Sequence, residues 1–323
     1  MPASVSHPGG FADTAAVVIG RNEGPHLARC IASLKGVSRV IYVDSGSADN
    51  SLKVAETAHA HVVSLDPGLP FTAARARNAG LAELGDEIEF VQFVDGDCVV
   101  RDGWLAEATR FLRDTPGAAV VCGRRRERFP EHSVYNRLCD REWDTPVGQA
   151  RACGGDALMR LDAVRDVGGY RDGLIAGEEP ELCVRLRQAG WEIWRIDAEM
   201  TWHDAAMERF GQWFKRCRRA GHAYAEGAHL HGAPPERHWT RETRRALAWG
   251  LILPLLIVAV GLMSPWGWLL VLAYPAQVLR LAPRLGTEAA LFTVLGKFPE
   301  ALGVIGFHLS RLRGRRAELL EYK

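Results

Sequence analysis

Several things that would fix a class at once are missing from this sequence. Its cysteines number seven, an odd count, and none of them forms a Cys-x-x-Cys pair. A disulfide framework or a structural zinc site is therefore not expected, and a reducing compartment is. No G-x-G-x-x-G turn follows the first apolar run, and no Walker motif occurs, which argues against a dinucleotide fold and against P-loop chemistry. The net charge is only +1, so no global basic field points to nucleic acid. Met1–Gly10 lacks a basic start followed by an apolar stretch, so no secretory leader is expected there. No repeat or low-complexity tract stands out. From Ala246 to Leu279 charge is absent altogether.

What is present divides into two compositions. The N-terminal part alternates short β-branched runs with amphipathic stretches. The runs are Ala16–Ile19, Val40–Val43, His61–Val63, Phe90–Val94 and Ala119–Cys122. Between them lie Pro25–Lys35, Asn50–Ala58, Ala73–Leu84 and Trp104–Leu112. Strands alternating with helices predict right-handed βαβ units, hence an α/β Rossmann-like, mostly parallel sheet flanked by helices. Ligands of such sheets sit beyond the carboxyl ends of the strands. The order is less clear from Gly123 to Asp144, where Arg124, Arg125, Arg126 and Arg128 form a basic run, either a solvated loop or an anion site. A second αβ portion spans Gly154–Asp197, followed by a basic helical stretch, Glu208–Ala225, and a Gly/His/Pro segment, Gly227–Pro235. With 323 residues the chain accommodates one large domain and an appendage. The expected division is a catalytic domain over 1–232, a basic linker over 233–245 and a membrane-associated helical region over 246–323.

The charge-free run would measure about 51 Å as one helix, more than the roughly 30 Å of bilayer hydrocarbon. Ser264-Pro265 and Gly267 interrupt it, which predicts a helical membrane hairpin, Ala246–Met263 and Trp266–Ala282. Arg241, Arg244 and Arg245 before it and Arg280 and Arg284 after it place both ends on the cytoplasmic face. Ala289–Leu309 contains Lys297, Glu300 and His308 and is expected to lie along the interface, with Arg311, Arg313, Arg315 and Arg316 near anionic headgroups. A buried helical pair in a soluble protein is the alternative.

Polar residues after the strands carry the chemistry. Asp95-Gly96-Asp97 directly follows Phe90–Val94. It is either an ordinary turn or two carboxylates that hold Mg²⁺ or Mn²⁺ together with diphosphate oxygens. Asp44, after Val40–Val43, suits the N–H of a uracil or guanine ring, while Ser47 or Asp49 can cap the next helix. Arg21 and Asn22 follow the first strand and could line the same pocket. Arg77 and Asn78 reach a donor's phosphate or sugar, or belong to a solvated helix face. In Glu178-Glu179-Pro180 the proline fits the first helical position, making Glu179 an unusual N-cap. A carboxylate there can serve as a general base, or simply favour the helix dipole. His203 is either a third metal ligand or a structural histidine. His229 and His231 are expected on the surface. Gln212, Lys215, Arg216 and Arg219 either bind diphosphate or lipid headgroups or are solvated.

Taken in order, Val17–Glu23, Val43–Ser51, Ala74–Gly80, Asp95-Gly96-Asp97, Gly154-Gly155-Asp156 and Gly177–Leu186 resemble glycosyltransferase family 2, whose catalytic domain has the GT-A fold. The resemblance covers about residues 15–220. It implies that Asp44 binds the nucleobase. Asp95 and Asp97 match the family's DXD motif, contacting ribose and metal, with Asp97 the metal residue of the two. Gly154 and Gly155 resemble the loop beside donor sugar and acceptor. Glu178-Glu179 stands where the family has Glu-Asp, the second carboxylate being the base, so Glu179 is a departure by one methylene. The implied reaction is inverting, metal-dependent transfer of one sugar from a UDP-, GDP- or dTDP-sugar to an acceptor hydroxyl. The acceptor would be lipid-linked, in polysaccharide or glycolipid assembly. The Gln-x-x-Arg-Trp pattern of processive members is not met, since Gln212 is followed by Lys215-Arg216. A sugar nucleotidylyltransferase and a non-catalytic nucleotide-sugar-binding membrane scaffold are the competing classes. Gly20-Arg21-Asn22-Glu23-Gly24 is a poor triphosphate loop for the first.

Overall fold

The computed structural model describes residues 10–314. The N-terminal stretch read for a leader lies, but for its last residue, outside them, as do Arg315 and Arg316. The chain divides into two compact units, Met1–Leu174 with Glu178–Ala206, and Ile175–Gly177 with Met207–Lys323. The boundary falls at 206/207, ahead of the one expected at 232/233.

In the first unit the element order is β1 (Phe11–Gly20), α1 (Gly24–Ser33), β2 (Val37–Asp44), α2 (Ser51–Thr57), β3 (His61–Ser64), α3 (Ala73–Ala82), β4 (Phe90–Asp95), β5 (Cys98–Val100), α4 (Trp104–Asp114) and β6 (Ala118–Glu127). These are followed by α5 (Val134–Glu142), β7 (Gly148–Ala150), β8 (Ala157–Arg160), α6 (Leu161–Asp166), α7 (Glu178–Gln188) and β9 (Glu192–His203). Among the described residues they form a sheet of order β3-β2-β1-β4-β8-β6-β9-β5, with β7 on β9. The block β3-β2-β1-β4 is parallel. Ala15, Ala16, Val17 and Val18 on β1 are all fully buried, as a central parallel strand covered on both faces requires. The apolar runs of the sequence are these strands, and the expected α/β sheet flanked by helices is what the chain forms.

Register positions the site. Gly20 lies opposite Asp44, and Ile19 lies opposite both Val43 and Asp95. The carboxyl ends of β1, β2 and β4 therefore stop at one level. His203 ends β9 opposite Cys98 on β5 and Glu127 on β6. The basic run is a strand, not a loop. Arg124–Arg126 lie on β6, with register shifts on either side of Arg124. The last helix to matter starts earlier than expected. Gly177 takes φ +81°, a conformation open to glycine, and α7 begins at Glu178. Glu179 is thus a first-turn residue and not the N-cap, and Pro180 is the third residue, where its missing N–H still has no helical partner to lose.

In the second unit α8 (Phe210–His231) is followed by α9 (Thr240–Leu247), which runs through a π-helical turn, Ala248–Ile252, into α10 (Leu253–Met263). A 3₁₀ segment, Pro265–Leu272, then α11 (Ala273–Leu285), α12 (Thr287–Leu295) and α13 (Lys297–Leu312) complete it. The Gly/His/Pro segment is helical as far as His231. Among the described residues two helices are long and apolar enough to cross a membrane, Thr240–Met263 and Thr287–Leu312. The first is the expected arm, extended backwards. The second is the stretch expected to lie along the interface. The expected arm Trp266–Ala282 is a 3₁₀ segment passing into α11. Leu262, Met263 and Trp266 are 78%, 86% and 79% exposed.

Glycines permit the tight α8–α13 crossing. A Cβ on Gly221 would lie 2.0 Å from the Glu300 carbonyl oxygen, and one on Gly303 2.0 Å from that of Arg218. Both contacts are with backbone, so the helices themselves would have to separate. Gly303→Leu is expected to lower stability by about 3 kcal/mol, the upper range for overpacking, read as a fall in melting temperature. An unchanged melting curve would show that the crossing is looser than this.

Candidate active site

Four carboxylates and two guanidiniums meet beneath the ends of β1, β4 and β8. Arg77, from α3, is 2% exposed. Its Nη1 lies 2.8 Å from Glu178 Oε1 and 2.9 Å from Glu179 Oε1, and its Nη2 donates to Asp95 Oδ1 at 3.0 Å. Its guanidinium also lies over the Tyr170 ring at 5.6 Å. Arg125 donates from Nε to Asp156 Oδ2 at 2.8 Å and from Nη2 to Asp95 Oδ2 at 3.1 Å. Asp95 is gripped on both oxygens. Burial would raise its pKa, but Arg77 and then Arg125 outweigh that and hold it at about 2.

Glu179 has the opposite balance. Burial, then the negative charge of Glu178, push its pKa up to about 7 against the pull of Arg77. Two cations among four carboxylates do not neutralise the cluster, and Glu179 is where the proton goes. Gly155 closes over this group. A Cβ there would lie 2.7 Å from Arg77 Nη2, 3.0 Å from Asp95 Oδ2 and 3.2 Å from Glu179 Oε1. Only glycine lets the backbone approach so closely. At Gly154 a Cβ would meet nothing within 4 Å.

Beside the cluster, Asp97 Oδ2 and His203 Nε2 are 3.4 Å apart, both side chains nearly buried. That is too long for a good hydrogen bond. It is the spacing of two atoms that each bind one divalent ion at about 2.1 Å. His203 Nδ1 makes no hydrogen bond and lies 3.8 Å from Glu127 Oε2, a carboxylate placed behind the ring as in histidine–metal sites. Trp143 meets the imidazole edge-on at 4.9 Å. Cys98 completes a possible ligand group with Asp97 and His203. Its thiol is pushed well above the ordinary range, by burial first and then by Asp156, so a hard ion would be left to carboxylate and imidazole. The donor set fits Mg²⁺ or Mn²⁺.

The surroundings of Asp44, at the end of β2, are more self-contained than expected. Asp44 Oδ1 accepts from Tyr42 Oη at 3.0 Å and from Ser47 Oγ at 2.5 Å, and Oδ2 accepts from the Gly46 and Ser47 amides. A nucleobase N–H would have to displace one hydroxyl. Asn22, at φ +59°, accepts from the Ala48 amide through its side chain, and Ser47 Oγ accepts from the Asn22 amide. Asp49 accepts from the Ser51 amide. Arg21 lies over Phe71 at 5.6 Å.

Not every expected residue joins the cluster. Asn78 holds the 170–172 loop, donating to the Tyr170 carbonyl and Asp172 Oδ1 and accepting from the Tyr170 amide. Its side chain thus ties α3 to that loop, beside the cluster and not in it. Arg124 and Arg126 pair with Asp140. Sequence reasoning did not single out Arg125 within the basic run or Asp156 within its Gly-Gly-Asp motif, and did not name Glu127. The signal was available: on a strand, Arg125 faces opposite to Arg124 and Arg126, and Asp156 follows the double glycine.

A strand-end aspartate pair, a carboxylate of raised pKa and a closely approaching glycine loop thus meet at the strand ends of this sheet. Residues 16–163, a little under half of the chain, match the glycosyl transferase family 2 model, so this part of the chain is similar to that family. A pre-mycofactocin glycosyltransferase of Mycobacterium tuberculosis is 30% identical over 223 residues, 63% of this chain and 46% of that one. The succinoglycan biosynthesis protein ExoA of Rhizobium meliloti is 27% identical over 193 residues, 54% and 58% of the two chains. The chain thus spans about half the length of the curated relatives it matches. The structure of mannosyltransferase PcManGT from Pyrobaculum calidifontis, a complex with GDP-Man and Mn²⁺, has a TM-score of 0.67 at 17% identity and covers 94% of this chain and 90% of its own. That likeness establishes the GT-A fold.

Proposed function

We propose that the chain transfers a single sugar, with inversion, from a nucleoside-diphosphate sugar to an acceptor hydroxyl, with Glu179 as general base. The observation that carries this is the Glu179 carboxylate, held near neutrality by burial and Glu178 and facing Gly155 and Asp95 at the strand ends. A base with a pKa near the working pH is the efficient choice. Glu179 takes the acceptor's hydroxyl proton while that oxygen bonds to the anomeric carbon. The carbon–oxygen bond to the diphosphate breaks, and the nucleoside diphosphate leaves with the electron pair. Asp95, fixed by Arg77 and Arg125, orients the donor, Gly155 lets the backbone lie against this cluster while Gly154 leaves room for the sugar, and Asp44 takes the base by exchanging a hydroxyl partner. Asp97 and His203 would hold a Mg²⁺ or Mn²⁺, which offsets charge on the leaving diphosphate.

The exposed apolar helices support attachment to a membrane; the arginines flanking the charge-free run favour the cytoplasmic face for the catalytic domain, and a lipid-linked acceptor is the reading we adopt with it. The similarity to ExoA, named for succinoglycan biosynthesis, favours polysaccharide or glycolipid assembly.

The test is donor hydrolysis by the detergent-solubilised chain with UDP-, GDP- and dTDP-sugars, with or without Mn²⁺. Release of nucleoside diphosphate from one of them supports the reading, and release of pyrophosphate from sugar phosphate and nucleotide points instead to a nucleotidylyltransferase. Donor binding without turnover, even with candidate lipid acceptors, fits a scaffold. Asp97→Asn is expected to weaken Mn²⁺ binding at least tenfold, consistent with loss of a ligand, and to cut turnover with it. Full activity in metal-free buffer would remove the ion from the scheme.

A further inference from the structure

The site contains a second group able to hold an ion. Ligand atoms of Asp95, Cys98 and Asp156 all lie within 4.8 Å of one another. One side chain touches all three. Arg125 is bonded to Asp156 Oδ2 through Nε at 2.8 Å, to Asp95 Oδ2 through Nη2 at 3.1 Å, and its Nη2 lies 3.7 Å from Cys98 Sγ. Asp156 is fully buried and takes two further bonds, from Thr201 Oγ1 at 2.6 Å and from the Asp95 amide at 3.3 Å.

The fold goes to some length to put this guanidinium there. The β6–β9 ladder shifts register between Arg124 and Arg125, and such an irregularity re-aims a side chain. Trp143 covers the guanidinium at 5.4 Å, a cation–π contact that grows stronger out of water. A fully buried carboxylate, Asp156, beside the half-buried Asp95 would otherwise favour a proton or a bound cation.

We propose that Arg125 is a built-in counter-cation. Its guanidinium stands among Asp95, Cys98 and Asp156 where a second ion would otherwise bind, so the site exchanges one divalent ion rather than two, and Asp95 stays oriented toward the donor. The assignment of the one exchangeable ion to Asp97 and His203 rests on the function proposed above. The role of Arg125 does not.

The experiment counts Mn²⁺ bound by the full chain in mild detergent, by electron paramagnetic resonance after chelation and removal of the chelator. The wild type is expected to bind one Mn²⁺, lost in Asp97→Asn. Arg125→Gln is expected to bind a second, lost again when Asp156→Asn is added, and to gain more in melting temperature from Mn²⁺ than the wild type does, since an ion that binds only the folded state stabilises it. Arg125→Lys, which keeps the charge, is expected to restore the single ion. A merely structural arginine would lower stability without altering the count. If the wild type binds none and Arg125→Gln binds one that Asp156→Asn removes, the Asp97–His203 assignment fails and this inference stands. An unaltered count in a folded Arg125→Gln overturns it. So does a wild type that binds two ions, one of them lost in Asp156→Asn, an arm that needs no arginine variant to fold.

Discussion

Glu179→Gln is expected to reduce turnover by about 10³-fold, within the range a positioned general base contributes, while the donor's dissociation constant changes by less than threefold. The amide keeps the shape of the side chain and a hydrogen-bond partner for its neighbours, but it cannot accept a proton. The wild type should show a matching pH dependence. Glu179 works as a base only when ionised, so kcat/KM should rise with pH and level off above about 7, the value set by burial and Glu178. Stability runs the other way. The folded-state pKa lies above the ordinary 4.5, so the folded chain holds this proton more tightly than the unfolded chain. The stabilisation is complete below pH 4.5 and is lost as pH rises through 7. In Glu179→Gln that loss should vanish. A variant retaining wild-type turnover, or one whose melting temperature still falls over that interval as in the wild type, would remove Glu179 from the role of base.

The parts of this site that were legible in the sequence are those where one physical demand acts on neighbouring residues. Val17, Val43 and Phe93 are buried on strands covered from both sides, so apolar runs announced them, and the polar residue after each run marked the level of the site. The rest depended on partners distant in the chain. Arg124–Arg126 read as a loop because a strand that supplies cations to two carboxylate groups has little apolar content. Asn78 read as a donor contact or part of a solvated helix face, because nothing local reveals its bonds to Tyr170 and Asp172. Glu179 read as a cap because Pro180 suggested a later start, whereas the conformation of Gly177 sets it at Glu178. Ala289–Leu309 read as lying along the interface because of Lys297, Glu300 and His308; Lys297 Nζ meets Glu300 Oε2 at 2.5 Å one turn away, a pairing that the sequence pattern alone does not reveal.

Arg77 should matter more to the folded state than any other side chain of the cluster, because it alone joins three carboxylates. Arg77→Met keeps a long apolar stem in the space but leaves Glu178, Glu179 and Asp95 without their shared cation, at contacts of 2.8, 2.9 and 3.0 Å. Removing one partner of a buried ion pair costs about 3–5 kcal/mol, a large fraction of the stability of a typical domain. Partial relief comes from protonation. With the guanidinium gone, burial and the charge of Glu178 act on Glu179 without their main opponent, and Glu179 takes up its proton at higher pH than before. The folded variant then binds more protons than its unfolded chain over a wider interval, so its stability should fall more steeply with rising pH than that of the wild type. Melting curves at pH 5.5 and 8 measure this, and the deficit of Arg77→Met should be larger at pH 8. An equal deficit at both values would mean that Arg77 contributes packing against Tyr170 rather than charge. The same arrangement explains why so costly a group is kept. Arg77 lets Glu178, Glu179 and Asp95 share one pocket while leaving Glu179 basic enough to take a proton near neutrality.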